Sequence, residues 1–436
     1  MSALHRALFM LGVGALGGCT ALLGTFEVDP SAGAVDGSTP DSTQSDGGGG
    51  GGGTDAEAGA DGGLTCATGT ASCDNNPATG CETDVRISTD HCGRCDRKCG
   101  GTATCSAGEC SVERLRDGLD HPFALETAGP RILWLEQGGQ LVRGCRADDC
   151  AASTAALVDV NGGTIFPSVD MSPRQLVVIG SNFYFAQTPP GSNFDAFIAS
   201  CDVGGCKLTG ATAVSPTGSG NRRPTQVVGG PGSIFTYQGI DGLIRTAIPG
   251  GAQTYSGTRD TLGAFYAGAT ALVYVDENSS QANPTGGVFT NPGLAIAGNP
   301  TRLLPPAVKH LAVSGGVAFT STGGPAAATG SITSCALAGC GGAGDVIAKD
   351  QAFVRDLAAD GDDLYWVTAG AADVKTNAAS IGTVMRCKLP GCPGGPRKVA
   401  DALANPVAIR LTPTHAYWVT FGTPGTSNGA VYRVRR

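Results

Sequence analysis

Cysteine is the residue type most able to do chemistry in this chain, and its spacing sorts the 17 cysteines into three groups. Cys19 stands alone behind an apolar stretch. Eight crowd into 45 residues: Cys66, Cys73, Cys81, Cys92, Cys95, Cys99, Cys105 and Cys110. Eight more form four pairs, each enclosing four residues: Cys145/Cys150, Cys201/Cys206, Cys335/Cys340 and Cys387/Cys392. Without Cys19 the number is even, which fits disulfides. So dense a short segment cannot hold itself together by apolar burial alone. Zinc is the competing chemistry, because His91-Cys92-Gly93-Arg94-Cys95 with Cys99 has ligand-like spacing. Export to an oxidising compartment weighs against it, and no metal or other cofactor is expected. The pairing of the eight clustered cysteines stays open among 105 possibilities. In the four spaced pairs, four enclosed residues match a β-hairpin loop, with Gly205, Gly339 and Gly391 supplying positive φ before the second cysteine. Each pair is expected to staple one hairpin tip.

Other patterns with catalytic potential dissolve in context. Gly425-Thr426-Ser427-Asn428-Gly429 has the Gly-x-Ser-x-Gly form, but it lies between two strands and not on a strand-to-helix turn, so it reads as a hairpin loop. Asp360-Gly361-Asp362-Asp363 lacks the later Glu of a calcium loop and reads as a turn. Outside the N-terminal stretch, His121, His310 and His415 fall at non-equivalent repeat positions, so no ring of inward histidines is visible. No catalytic residue is assigned, and the chain is not expected to be an enzyme. Nor is nucleic acid an expected partner. Residues 29–64 carry seven of the eight net negative charges, and the remainder is nearly neutral with no basic face.

The elements that would position these residues begin with an address. Met1 to Arg6 are weakly basic, Ala7 to Ala15 are apolar and too short to span a bilayer, and Leu16-Gly17-Gly18-Cys19 follows. This stretch resembles the lipobox of bacterial lipoproteins. The resemblance implies a signal peptide over 1–18, lipidation at Cys19 and anchoring through stable acyl chains. Thr20 after the cysteine implies outer-membrane sorting, on the cell surface or the periplasmic face. Residues 19–64, including the seven glycines Gly47 to Gly53, can bury no core and read as a disordered tether. The run has no flanking strand and helix and no P-loop Lys-Ser/Thr. Residues 65–110 form the disulfide-rich module. Its string Gly80-Cys81-Glu82-Thr83-Asp84 with His91-Cys92-Gly93-x-Cys95-x-x-x-Cys99 resembles a cysteine-rich segment common in predicted lipoproteins of myxobacteria and their relatives.

From 111 to 436, short aromatic or aliphatic runs recur about every 47 residues, from Ile132-Leu133-Trp134-Leu135 to Ala416-Tyr417-Trp418-Val419. Four strands in such a unit are the pattern of a β-propeller blade, and seven units predict seven blades. The last unit lacks a fourth strand. Val112 to Pro122 shares the Asp-x-Leu-x-x-Pro run of Asp401 to Pro406, so residues near 112–116 are expected to complete the final blade and close the ring. Trp134, Trp366 and Trp418 are expected in the blade cores. Leu364-Tyr365-Trp366-Val367-Thr368, Leu389-Pro390-Gly391 and Pro406-Val407-Ala408-Ile409 resemble the YWTD-type repeat of receptor propellers, which implies the fold. Thr368 stands where that family has Asp, and seven repeats replace its usual six.

The expectation is therefore an all-β, seven-bladed propeller behind a small disulfide-rich module and a disordered tether. It would be a monomer, membrane-bound through its lipid, recognising an unknown protein or glycan with loops 187–194, 277–286, 321–330 and 369–380. A hydrolase or lyase working near the central channel is the alternative, and a purely structural envelope protein a third. The enzyme would need several titratable groups to converge on the innermost strands.

Overall fold

The computed structural model describes residues 65–436, except 75, 77, 139–140, 160–163, 166–173, 189–196, 207–211, 214–225, 239–241, 249–251, 256–261, 277–285, 295–299, 307, 324–329 and 370–379. The stretch read as a signal peptide, Cys19, the expected tether and most of the four loops named above lie outside the described residues. Among the described residues no helix is long and apolar enough to cross a membrane.

The strands pair strictly within consecutive antiparallel sheets, one per sequence repeat. Blade 6 shows the unit most completely. Val354–Asp360 turns at Gly361-Asp362 into Asp363–Thr368, which pairs with Ile381–Lys388, which pairs in turn with Arg397–Ala404. All six residues of Asp363–Thr368 are buried. That is why the run Asp-Leu-Tyr-Trp-Val-Thr is almost continuously apolar and not alternating: this strand is sandwiched between neighbouring blades. Trp134, Trp366 and Trp418 are fully buried at equivalent points of blades 1, 6 and 7.

Ring closure follows the sequence expectation. The last three strands, Pro406–Leu411, His415–Thr420 and Gly429–Arg435, take Glu113–Leu119 as their fourth, with Val431 opposite Arg116 and Arg433 opposite Glu113. Seven sheets, the last built from both ends of the domain, make the chain an all-β, seven-bladed propeller. Closing blade 7 this way leaves it no unpaired third strand as an exposed edge.

All sixteen cysteines from Cys66 to Cys392 are bonded. In the module the pairs are Cys66–Cys81, Cys73–Cys95, Cys92–Cys105 and Cys99–Cys110. The four spaced pairs bond within themselves, as Cys145–Cys150, Cys201–Cys206, Cys335–Cys340 and Cys387–Cys392, with Cα separations of 4.9–5.6 Å.

Their placement corrects the expectation that each pair staples a hairpin tip. The first cysteine is the penultimate residue of a blade's third strand, as Cys145 is in Leu141–Arg146, Cys201 in Phe197–Asp202 and Cys387 in Ile381–Lys388. The second cysteine lies on no strand. Cys150 is the first residue of a one-turn helix, Cys150–Ser153, where a hairpin strand was expected. Cys206 lies in the loop after Phe197–Asp202, and its amide donates to the carbonyl of Leu157 in blade 1 (3.1 Å), not to a strand of its own blade. Cys340 and Cys392 are likewise loop residues, and the Cys392 amide returns to the carbonyl of Lys388 (3.0 Å). The reason is the length of the connection. Gly144 pairs with Ala155, Ser334 with Asp345 and Arg386 with Arg397, each eleven residues on, so a five-residue step cannot reach the facing strand. The bridge instead folds the start of the connection back onto the strand end. Gly205, Gly339 and Gly391 do adopt positive φ (104°, 121° and 73°), which makes that tight return possible. Blade 1 has Asp149 before its second cysteine and makes the return with the helical turn.

The module is docked on the propeller within one compact unit. Arg97, 8% exposed, donates from Nε to the carbonyl of Arg436 (3.0 Å) and from Nη2 to that of Arg435 (3.2 Å). Glu109 accepts from Arg97 (3.2 Å) and from Arg397 of blade 6 (3.3 Å). Glu113 accepts the amide of Ala103 and pairs with Arg433, whose Nη1 also donates to the carbonyl of Ala147. The module thus pins both strands that close the ring.

Candidate functional site

A β-propeller turns the first strand of every blade toward its axis, and alternate residues on those strands face the channel. The register identifies the inward residue of each blade, because it pairs with the residue just before the tryptophan position. Blades 2 to 5 contribute Val177, Val228, Tyr266 and Ala312. Blades 6, 7 and 1 contribute Ala358, Arg410 and Glu126. All seven line one cavity of about 420 Å³, joined by Arg174 and Asp360. One wall is apolar and the other ionic.

Two residues earlier on the same strand faces lies a second layer. It contains Gln226 on blade 3, opposite Tyr237, His310 on blade 5, opposite Ser321, and Asp356 on blade 6, opposite Val367. Asp356 is 1% exposed and saturated with donors. Oδ1 accepts the Leu357 amide (3.0 Å) and faces Arg174 at 3.6 Å. Oδ2 accepts the Ile409 amide (3.1 Å) and Arg410 Nη1 (2.7 Å). Arg410 Nε donates to Glu126 (2.5 Å), and Arg174 Nη2 donates to the carbonyl of Leu311. The ion pairs therefore tie blade 7 to blades 1 and 6, and blade 2 across the axis to blades 5 and 6.

The electrostatics follow from this placement. Burial opposes charge on Arg410, but Glu126 and Asp356 more than offset it and hold its pKa above the ordinary value. On Arg174 burial wins, aided by Arg410, and its pKa is lowered despite Asp356. Burial also pushes the His310 imidazole down to about 4, with Arg355, Arg174 and Lys309 acting in the same direction against Asp356. At neutral pH the His310 imidazole is therefore neutral. Gln226 is 9% exposed. Its Nε2 donates to the carbonyl of Gly263, which the irregular register between Leu262 and Phe265 in blade 4 presents to it, while its buried Oε1 has no partner.

Among the described residues, the one grouping of three potential metal ligands is Cys92, Cys99 and Cys110, and each of these sulfurs is already in a disulfide. Ser427 of the Gly-x-Ser-x-Gly run lies exposed in the loop before Gly429–Arg435, whose turn is held by Asn428 Oδ1 accepting the Thr423 amide. Asp360 and Asp363 flank a strand turn and pair with Arg436 at 2.6 and 3.1 Å. His121 sits on Phe421 and contacts Asp120 at 2.7 Å. Burial, with Arg433 and Arg435 adding to it, pushes His415 down to about 4. His310, alone of the three, lies on an innermost strand, Val308–Ser314.

No family model matches the chain, and no curated protein matches it in sequence. Solved structures match it in fold. The WD40 repeats of RRP9 superpose on 75% of this chain and 98% of their own, with a TM-score of 0.51 at 8% identity. U3-55K gives 0.49 at 9% over the same shares, and oligogalacturonate lyase in complex with manganese gives 0.49 at 12% over 75% and 93%. The likeness is one of fold. Propellers host many unrelated functions, so the chemistry here rests on the channel residues themselves.

The sequence reading missed Glu126, Arg174, Gln226, Asp356 and Arg410, and gave His310 no role. Glu126 and Arg410 did carry a signal: each is the lone charge at the inward position of its first strand, where other blades carry Val, Tyr or Ala.

Proposed function

We propose that this chain is an exported, membrane-tethered binding protein of the cell envelope, with the propeller as its recognition domain and no turnover of its own. The observation that carries the binding reading is the mutual pairing of the channel charges. Asp356 and Glu126 are both taken up by Arg410, and Asp356 accepts two backbone amides besides. A general acid or base must be within reach of a reacting proton, and these carboxylates are held by the protein's own cations and amides. Complete bonding of sixteen cysteines supports an oxidising compartment, in keeping with lipidation at Cys19 and outer-membrane placement.

Intact mass of the membrane-extracted protein tests the address. After free thiols are blocked, acylation at Cys19 with a gain of 16 hydrogens on reduction is expected, two for each disulfide. A soluble, unacylated product with blocked thiols overturns it.

One observation favours a second reading, a hydrolase or lyase of the channel: Glu126, His310 and Asp356 converge there from three blades. A turnover that disappears in His310→Gln, while ligand binding survives, would establish the enzyme.

A further inference from the structure

We propose that the four spaced disulfides are clasps between blades, each fixing its loop against the fourth strand of the blade before it, and that the cysteine module does the same for blade 6. The ring is then locked at five of its seven junctions and yields first at the other two. This holds whatever the propeller recognises.

The same contact recurs at each bridge. In blade 2 the Cys206 amide donates to the carbonyl of Leu157 (3.1 Å), on the fourth strand of blade 1, Ala155–Asp159. In blade 1 the helical turn Cys150–Ser153 meets the fourth strand of blade 7, where Arg116 donates from Nη1 to the carbonyl of Ala151 (3.4 Å). In blade 5 the Cys340 sulfur lies 3.5 Å from the carbonyl oxygen of Leu303, on the fourth strand of blade 4, Thr301–Leu304. In blade 6 Cys392 is buried in one apolar cluster with Ala348, from the fourth strand of blade 5, Asp345–Gln351, and Leu389 and Ile347 pack against that cluster.

Blade 7 has no bridge of its own, and the module stands in its place. Arg97 holds the carbonyls of Arg435 and Arg436 at the end of the third strand, and Cys110 leads into the fourth, Glu113–Leu119. Glu109 accepts from Arg397 at the start of the fourth strand of blade 6 (3.3 Å). Val112, Val399 and Ala400 pack on one apolar cluster that includes Leu403 of the same strand.

A fourth strand is paired along one edge alone, so it is the part of a blade most prone to fraying. A loop closed by a bridge has already given up much of its conformational freedom, and little more is lost when it docks on that strand. Residues 207–334 contain no cysteine, so the loops of blades 3 and 4 offer no disulfide clasp to blades 2 and 3. The fourth strands left without one, Thr212–Ala213 and Gln253–Tyr255, are the shortest among the described residues, two and three residues against four to eight for the clasped five.

Native-state hydrogen exchange read by mass spectrometry on the full-length oxidised protein tests the assignment. Replacing Cys201 and Cys206 together by serine should speed exchange in Ala155–Asp159 about tenfold or more, and replacing Cys335 and Cys340 should do so in Thr301–Leu304. Fourth strands elsewhere in the ring should keep their protection. In the unaltered protein Thr212–Ala213 and Gln253–Tyr255 should exchange before any clasped fourth strand, a reading that needs no variant to fold. Faster exchange confined to the variant's own blade, an equal rise in the fourth strands of all seven blades, or no change in the preceding blade would each overturn the proposal. So would unclasped strands as well protected as the clasped ones.

Discussion

Asp356→Ala should cost the propeller about 3–5 kcal/mol. The carboxylate is 1% exposed and accepts from the Leu357 amide (3.0 Å), the Ile409 amide (3.1 Å) and Arg410 Nη1 (2.7 Å). Alanine removes every acceptor at once. It leaves two buried backbone N–H groups unsatisfied, at about 1–3 kcal/mol each when no water reaches them, and takes one carboxylate from Arg410. Breaking a buried ion pair from one side costs about 3–5 kcal/mol. Because these terms overlap, the pair figure is the better guide to the total. Asp356→Asn keeps one oxygen but turns an amide donor toward either Arg410 or the backbone N–H groups, so its cost should fall between about 1 and 3 kcal/mol. The assay is guanidinium unfolding followed by tryptophan fluorescence, since Trp134, Trp366 and Trp418 are fully buried. A thermal shift of about 2 °C per kcal/mol is expected alongside it. The double variant with Arg410→Met should recover at least ~1 kcal/mol of the summed single costs, the signature of residues in direct contact. A cost below ~1 kcal/mol for Asp356→Ala, or strict additivity with Arg410→Met, would refute the view that this cluster fastens blades 6 and 7 together.

Three further outcomes follow from other parts of the structure. Replacing Cys335 and Cys340 together by serine should cost about 2 kcal/mol on the chain-entropy model, because the closed loop is short. The protein should still fold, since Thr246, Asn291 and Val434 occupy the equivalent strand position in blades 3, 4 and 7 without any bridge; a failure to secrete folded protein would contradict this. Arg97→Ala should speed amide exchange in Glu113–Leu119 and Gly429–Arg435 at least tenfold, by releasing the carbonyls of Arg435 and Arg436; unchanged protection would show that the module is a passenger. His310 has a folded pKa near 4, below its unfolded value of about 6.5. The unfolded chain therefore binds the extra proton first, and the stability contributed by this residue is present above about pH 6.5 and lost as pH falls toward 4. His310→Gln should flatten the stability profile across that window, and an unchanged slope would remove His310 from the account.

Much of the fold was legible because two sequence signals have no local alternative. A strand buried on both faces must be apolar throughout, so Leu364-Tyr365-Trp366-Val367 and its counterparts stand out at every repeat. A ring must also close, so a missing fourth strand at the C-terminus had to be found elsewhere, and the shared Asp-x-Leu-x-x-Pro run pointed to the segment before blade 1. The observed strand, Glu113–Leu119, runs slightly past the expected 112–116. The cysteine loops were misread because four enclosed residues suit a hairpin so well. Spacing between two cysteines constrains their own separation, whereas the length of the connection is set by where the fourth strand begins, as at Ala155, Asp345 or Arg397. Cys150 and Cys206 show the consequence most plainly, one starting a helical turn and the other bonding its amide to the neighbouring blade.

The channel was illegible for a different reason, and the reason bears on what it is for. A repeat search rewards sameness, and this site is built from the differences between repeats. Glu126, Arg410, Asp356, His310 and Gln226 each occur once, on five blades, at two inward layers that only the register makes equivalent. Arg174 reaches the cluster from just before its strand and is not on the inward row at all. Had the cluster served only to close the ring, pairing across the junction of blades 7 and 1 and that of blades 6 and 7 would have been enough, and Arg410 with Glu126 and Asp356 supplies it. Ring closure accounts for neither the neutral His310 on blade 5 nor the buried, unsatisfied oxygen of Gln226 on blade 3.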